Sequence, residues 1–505
     1  MRKRLVKMAA AMTVFILTGC SAEAVNETNS QTGTEVQEEA QETTEEEPYL
    51  ITMTMEGDQQ EDFPRIMDRV NEILRRDLNM ELNLIVLPWG TAAQQKQLML
   101  TGGEGLDIVD MADVNQAISY MNNGQIINIG QLIDEEAPNV REFWGDELAK
   151  GVRVGDFVMG VPAFRPWGSR PCVGMRKDMV EKYNIDVDSI HSIDDMTEIY
   201  AMIKEKEPAI TPVYLAPDQP AASQQLGTID MLADGIAVLD HAGQDNATVI
   251  PITQSESYRD ALKTIREWYV KGYVNMDAAT TTVGFESAFK SGDAFSALMV
   301  WHPLSPGQFG GVDMVYAMLG EHNVFSNDVF KRSFGIAANS KDPVKAMQML
   351  DYLYGSEEIA QLLNWGEEGI DWIYKDKEKN VATYPEGKDS SNSTYHAVLT
   401  HSLPNFTLCS TWDGVYTEDA WDQCKKFNEE GNRSKAFGFL FNPEDVTNEL
   451  TALQNVKDKY AASLECGAVD PDEYLAKYEE ELKQAGLDKL IQAKQEQLDT
   501  YLNSK

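Results

Sequence analysis

Basic residues are in short supply. Only 43 Lys and Arg stand against 82 Asp and Glu, a formal charge of −39 over 505 residues. Phosphate backbones need clustered cations, so the balance argues against nucleic acid as a partner. It also disfavours docking of the folded body on an anionic membrane. Histidine is scarce too. The six present form no H-E-x-x-H, and His396 and His401 are five apart, so a metal enzyme is disfavoured and no metal or cofactor is expected. There is no G-x-S-x-G elbow and no G-x-x-x-x-G-K-[ST] phosphate loop. Cysteine is limited to Cys20, Cys172, Cys409, Cys424 and Cys466, without a C-x-x-C. The last four allow three pairings, and buried free thiols are an equal reading.

What is present is unevenly placed. Residues 1–20 hold Arg2, Lys3, Arg4 and Lys7 and no acid, followed by an apolar run from Met8 to Leu17 that is too short to span a bilayer. The run stops at Leu17-Thr18-Gly19-Cys20. Residues 21–47 hold nine Glu, no base and no aromatic, so they cannot bury enough surface to offset their ordering entropy and read as a disordered acidic tether. Setting aside those four bases and nine acids leaves −34 on residues 48–505. Hydrophobic residues are 43% of the chain, enough for a sizeable core in two or three domains.

The periodicity predicts strands over 49–55, 81–87 and 106–111, alternating with helices over 61–80 and 91–101. That order implies parallel pairing with right-handed crossovers. Ligands of such sheets sit beyond the carboxyl ends of the strands, here at Asp58, Trp89 and Asp113. The stretch Arg165-Pro166-Trp167-Gly168-Ser169-Arg170-Pro171 mixes rigid Pro with permissive Gly, which suits a crossing between domains. A strand over 294–300 runs into Trp301, and strands are also expected at 312–319 and 333–338. Residues 216–250 read as loop. The end of the chain, 443–505, reads as helix broken at Gly467, Pro471 and Gly486.

Five of the nine Trp, namely Trp89, Trp167, Trp301, Trp365 and Trp372, fall at inferred strand ends or in Gly/Pro-rich loops. A loop indole can stack on the apolar face of a sugar ring while neighbouring carboxylates take its hydroxyls, or it can cap the core beneath its own loop. Asp58, Asp113, Glu368 and Asp371 are the polar candidates beside them. Carboxylate pairs are too abundant to single out a hydrolytic dyad.

Taken together, these segments resemble the extracellular solute-binding lipoproteins of bacterial ABC importers, in the class that includes maltose- and oligosaccharide-binding proteins. The Leu-Thr-Gly-Cys stop resembles their lipobox. The resemblance also rests on the tether, the β-α-β-α-β opening, Gly160-Val161-Pro162-Ala163-Phe164 and Val300-Trp301. Asn364-Trp365-Gly366-Glu367-Glu368-Gly369 and the ending Glu465-Cys466-Gly467-Ala468-Val469-Asp470-Pro471 are similar to segments of a lipoprotein subgroup. Where that subgroup carries Tyr, this chain has Trp365, which changes the stacking surface.

The resemblance implies an α/β, two-lobed periplasmic-binding-protein-like fold (type II): parallel-sheet lobes with helices, a hinge between them and a helical C-terminus. It implies a signal peptide at 1–20 and an acylated Cys20. Lobe 1 would comprise 48–168 and 312–356, and lobe 2 would comprise 169–311 and 357–505. The expected function is capture of a small ligand, foremost a sugar, in the inter-lobe cleft and delivery to membrane permease subunits. The expected form is a lipid-anchored monomer on the outer face of the membrane that is not an enzyme. The rivals are a secreted glycoside hydrolase, a lipoprotein presenting ligand to a sensor, and a receptor for peptides or amino acids.

Overall fold

The computed structural model describes residues 47–504 except 104, 146–150, 169, 306, 310 and 398–401. Cys20, the expected signal peptide and the expected tether up to residue 46 lie outside the described residues. Among the described residues no helix is long and apolar enough to cross a membrane.

The described residues form two large hydrophobic cores, each built on a five-stranded sheet, and a small third cluster on the second sheet around Phe285, Phe289 and Met314. The first sheet contains β1 (Tyr49–Glu56), β2 (Met80–Leu87), β3 (Ile108–Met111), β4 (Val161–Pro162) and, from much later in the chain, β10 (Ser333–Ile336). Its order is β2-β1-β3-β10-β4. β1 pairs parallel with β2 and β3, while β10 is antiparallel to β3 and β4. The helix Phe63–Leu78 links β1 to β2. Ile66, Val70, Ile73 and Leu74 bury one face of it, and Pro64 stands at its start, where no intrahelical N–H is needed.

The second sheet contains β5 (Arg170–Arg176), β6 (Thr211–Tyr214), β7 (Ala294–Trp301), β8 (Gln308–Phe309) and β9 (Val312–Met318), in the order β8-β9-β5-β7-β6. Only β6 and β7 are parallel in it. Both sheets are therefore mixed rather than parallel throughout.

The expected lobe boundaries shift in two places. β9 pairs with β5, so 312–318 belong to the second sheet. The described residues of 357–430 pack with the first core through Trp365, Tyr395, Phe406, Trp412 and Trp421. Periodicity shows that a segment is a strand or a helix. Which sheet it joins is decided by pairing partners hundreds of residues away. The C-terminal helices Thr447–Glu465, Pro471–Gln484 and Leu487–Asn503 close the second core through Leu453, Leu464, Leu475, Leu482, Leu490 and Leu498.

The chain crosses between the cores near 164–170, 319–333 and 432–440. The crossings are tied to one another. Asn323 and Val324 pair in parallel with Asn432 and Arg433. The Trp167 carbonyl lies 2.7 Å from Nε2 of His322, and its N–H donates to Asn428 at 2.6 Å. Asp230 accepts from the N–H and hydroxyl of Ser326 at 2.9 and 2.7 Å and also from Ser434. Gly168 has φ +71°, and a β-carbon there would lie 1.9 Å from the Asn323 carbonyl oxygen, so only glycine fits.

Candidate functional site

The carboxyl edge of the first sheet forms one side of the junction. The strand order β2-β1-β3 sets the loops bearing Trp89, Asp58 and Asp113 side by side along it. Trp89 is 53% exposed, which for so large an apolar ring implies something to cover it. Asp58 is exposed. Asp113 is exposed and caps the helix Val114–Asn122 by accepting from the Gln116 N–H at 3.0 Å.

Beneath this edge lies a buried ionic network. Lys96 donates to Glu56 at 2.6 Å and to the Asp110 carbonyl at 2.9 Å. Arg332 donates to Asp110 at 2.9 Å and to Glu56 at 2.8 Å, and Thr54 donates to Asp110 at 2.8 Å. Burial alone would raise the Glu56 carboxyl, but hydrogen bonds from Lys96 and Arg332 outweigh it and hold the group below the usual carboxylate range. The Arg332 guanidinium carbon is 5.3 Å from the Trp89 ring centroid. The network thus supports the exposed indole from below. Glu56 and Asp110, acids at the ends of apolar strands, were the sequence signal for it.

The second sheet contributes Trp301 at the end of β7. Its partly exposed ring meets Phe427 edge-on at 5.9 Å, across a groove of about 480 Å³ shared with Arg170, His322 and Asn432. A second groove, about 750 Å³, runs between the helix Val114–Asn122 of the first lobe and the helix Thr447–Glu465 of the second. Asn115, Ser119 and Asn122 face it from one side, and Thr447, Thr451 and Gln454 from the other. Each set is spaced i, i+4, i+7 on one helix face, with Ile118 and Leu450 between its members and Asp234, Glu444 and Lys457 also lining the groove. The Asn122 amide donates to Asn442 at 2.8 Å, joining the lobes directly. The spacing was visible in the sequence, but the pairing of the two faces was not.

The other sequence-derived candidates are not brought to this edge. Trp167 is buried at the crossing, parallel to Trp144 at 5.8 Å. Trp365 is 1% exposed, donates Nε1–H to the Ser410 carbonyl at 3.0 Å and packs on His396 and Trp412. Trp372 is 3% exposed and donates to the Gly366 carbonyl at 3.0 Å. Asp371 is fully buried, accepting from Arg65 at 2.8 and 2.9 Å and from the Glu367 N–H at 2.8 Å. Glu368 is exposed on the same turn, away from the other candidates. The 364–372 segment is a latch on the Phe63–Leu78 helix, because Asp371 is held by Arg65 of that helix and the Trp365 and Trp372 rings complete a core. Cys172, Cys409, Cys424 and Cys466 are free and buried, their thiols raised by burial. Among the described residues no cluster of His, Cys, Asp or Glu is placed to hold a metal ion.

Two α/β cores joined by three crossings, with grooves of mixed polar and apolar lining between them, define a two-lobed solute-binding protein. The chain belongs to the family of bacterial extracellular solute-binding proteins, whose profile matches residues 75–360. A domain of unknown function (DUF3502) matches 435–503. A carbohydrate ABC transporter substrate-binding protein of Streptococcus pneumoniae is 23% identical over 479 residues, covering 90% of this chain and 91% of the relative. The N-glycan transport solute-binding protein NgtS of Streptococcus pneumoniae superposes with TM-score 0.80 at 22% identity, covering 90% of this chain and 99% of that one. An extracellular solute-binding protein of Bifidobacterium longum subsp. infantis gives 0.63 at 16% identity, covering 90% and 99%.

Proposed function

We propose that the chain is the ligand receptor of an ABC importer, tethered outside the cell by an acylated Cys20, and that it captures an oligosaccharide between its lobes as a monomer. The observation that carries this reading is the groove between Asn115, Ser119 and Asn122 and Thr447, Thr451 and Gln454. Amides and hydroxyls from both lobes suit a ligand rich in hydroxyls. At about 750 Å³ the groove is in the range of ligand sites. Trp89 and Trp301 supply stacking faces, and Asp58 and Asp113 supply acceptors. Contacts from both lobes exist together only when the lobes are close, so ligand favours the closed arrangement, which permease subunits would then read.

Support also comes from relatives. The S. pneumoniae relative is named for carbohydrate, and NgtS has been crystallised with Man1GlcNAc and Man5GlcNAc. The body's charge of −34 suits neutral sugars better than phosphorylated ones.

The test is titration of the protein with a panel that includes Man5GlcNAc, malto-oligosaccharides and fructo-oligosaccharides, followed by tryptophan fluorescence and calorimetry. Saturable binding without release of reducing ends is expected. Silence across the panel would sink the sugar reading, and reducing-end release would point to a hydrolase. Cys20→Ala should release the protein into the medium.

A further inference from the structure

The segment Glu465-Cys466-Gly467-Ala468-Val469-Asp470-Pro471 ends the first C-terminal helix and is not accounted for by ligand contacts. Its first residue carries a charge that is only 3% exposed. A buried carboxylate is costly unless its oxygens are occupied. Glu465 Oε2 accepts from the N–H groups of Ala222 and Ser223 at 2.7 and 3.2 Å. Burial raises its carboxyl above the usual range, opposed by hydrogen bonds from Ser223, from these backbone groups and from Tyr258.

Ala222 and Ser223 belong to a π-helical turn, Ala221–Gln225. Such turns are rare and are frequent at functional sites. This one leaves the carboxyl end of β6. Tyr214 of β6 pairs in parallel with Ala297 of β7, and the chain then turns, the Gln219 N–H donating to the Ala216 carbonyl at 3.1 Å. The turn also packs against β7 and the Glu256–Val270 helix. Asp218 and Gln224 are exposed, and Gln225 donates to Gln219 at 3.0 Å.

The rest of the segment fixes Glu465 in place. Cys466 Sγ donates to the Ala278 carbonyl at 3.2 Å. Gly467 has φ +72°, and a β-carbon there would lie 2.7 Å from the Ile265 carbonyl oxygen. Arg266 donates to the carbonyls of Gly467 and Ala468 at 2.9 and 3.2 Å. The residues after Glu465 are thus riveted to the helix that also carries Tyr258.

We propose that Glu465 is a positioning residue: from the C-terminal helical unit it sets the 221–225 turn, and through the packing of that turn on β7 it sets the strand that carries Trp301 to the ligand. The part that concerns ligand rests on the glycan-binding reading above. The matched region of unknown function is then an organiser of the second lobe's ligand edge.

The test compares Glu465→Ala, Glu465→Asp, Glu465→Gln and Asp371→Asn in the full chain. Readouts are hydrogen exchange of the 219–226 backbone, Kd for Man5GlcNAc and thermal stability. Glu465→Ala strands two N–H groups and should speed exchange in 219–226 and weaken binding by about tenfold each. Glu465→Asp withdraws the carboxylate by one methylene and should do the same in part, which keeps the test open if the alanine variant fails to fold. Glu465→Gln keeps an acceptor oxygen and should restore both readouts. Asp371→Asn, in the other lobe, should lower stability while leaving both unchanged. If Glu465→Ala and Asp371→Asn lower stability alike and neither alters exchange in 219–226 or Kd, the proposal is overturned. If the unaltered protein ignores Man5GlcNAc, that probe fails the glycan reading, and the exchange data still decide whether Glu465 sets the turn.

Discussion

Arg332 faces two ways: its nitrogens hold Glu56 and Asp110 at 2.8 and 2.9 Å, and the Trp89 ring lies 5.3 Å from its guanidinium carbon. A buried ion network therefore ends in an exposed aromatic face.

The two residues should separate affinity from stability. Trp89→Ala removes an exposed ring, so stability should hold while glycan affinity falls by about 1 kcal/mol, roughly fivefold in Kd. Arg332→Met leaves two buried carboxylates sharing Lys96 and should cost about 3–5 kcal/mol of stability. Calorimetric titration and urea unfolding check the pair. An unstable Trp89→Ala protein would contradict the assignment.

Gly168→Ala should strain the crossings. Its φ of +71° already disfavours a side chain, by about 1–2 kcal/mol, and the added carbon meets the Asn323 carbonyl at 1.9 Å. Lower unfolding free energy together with a changed small-angle scattering profile is expected. Unfolding at the original urea midpoint would refute it.

Trp372→Phe should remove the bond to the Gly366 carbonyl and part of a buried ring, at about 2–3 kcal/mol of stability. Glycan affinity should stay put, because the ring is buried in the core. A weakened Kd in the folded variant would return Trp372 to the ligand surface.

His396 gives a pH dependence with a definite sign. Packed on Trp365 and Trp412, with Nδ1 lacking a partner among the described residues, its imidazole is pushed down to about 4 by burial. The unfolded chain titrates near 6.5 and takes up the proton first, so stability is full above that pH and is lost as pH falls toward 4, by about 3 kcal/mol in all. Asp230 and Glu465, both raised by burial, act in the opposite sense: their contribution is present at low pH and lost as pH rises. The difference between the parent and His396→Gln isolates the imidazole. Parallel pH profiles of urea midpoints would exclude it.

Much of the first lobe's edge was legible. Strand ends follow from period-2 runs stopped by Gly and Pro, so the residue pattern alone places Asp58, Trp89 and Asp113 on one edge. Trp365, Trp372 and Asp371 could not be separated from them, because a loop indole above a cleft and one capping a core share the same local sequence. Burial by Ser410, His396 and Arg65 distinguishes them. Residues 216–250 looked like plain loop because the groups that satisfy their backbone come from elsewhere: Glu465 holds Ala222 and Ser223, Lys494 donates to the carbonyls of Leu232 and Ala237 at 3.2 and 2.7 Å, and Gln495 holds Val249.

The sequence alone determined what depends on neighbours within a turn or two: a basic, apolar start ending at Cys20, a glutamate-rich stretch after it, the alternation of strands and helices, and glycine at the crossing. The tertiary structure decided what depends on distant partners. It assigned β9 to the second sheet and 357–430 to the first core, joined three crossings through Asp230 and His322, and set the faces of two helices more than three hundred residues apart across one groove. Hydrophobic burial is non-directional, so composition secures a core, whereas hydrogen-bond register and buried charge pairing are directional and fix which segments share it.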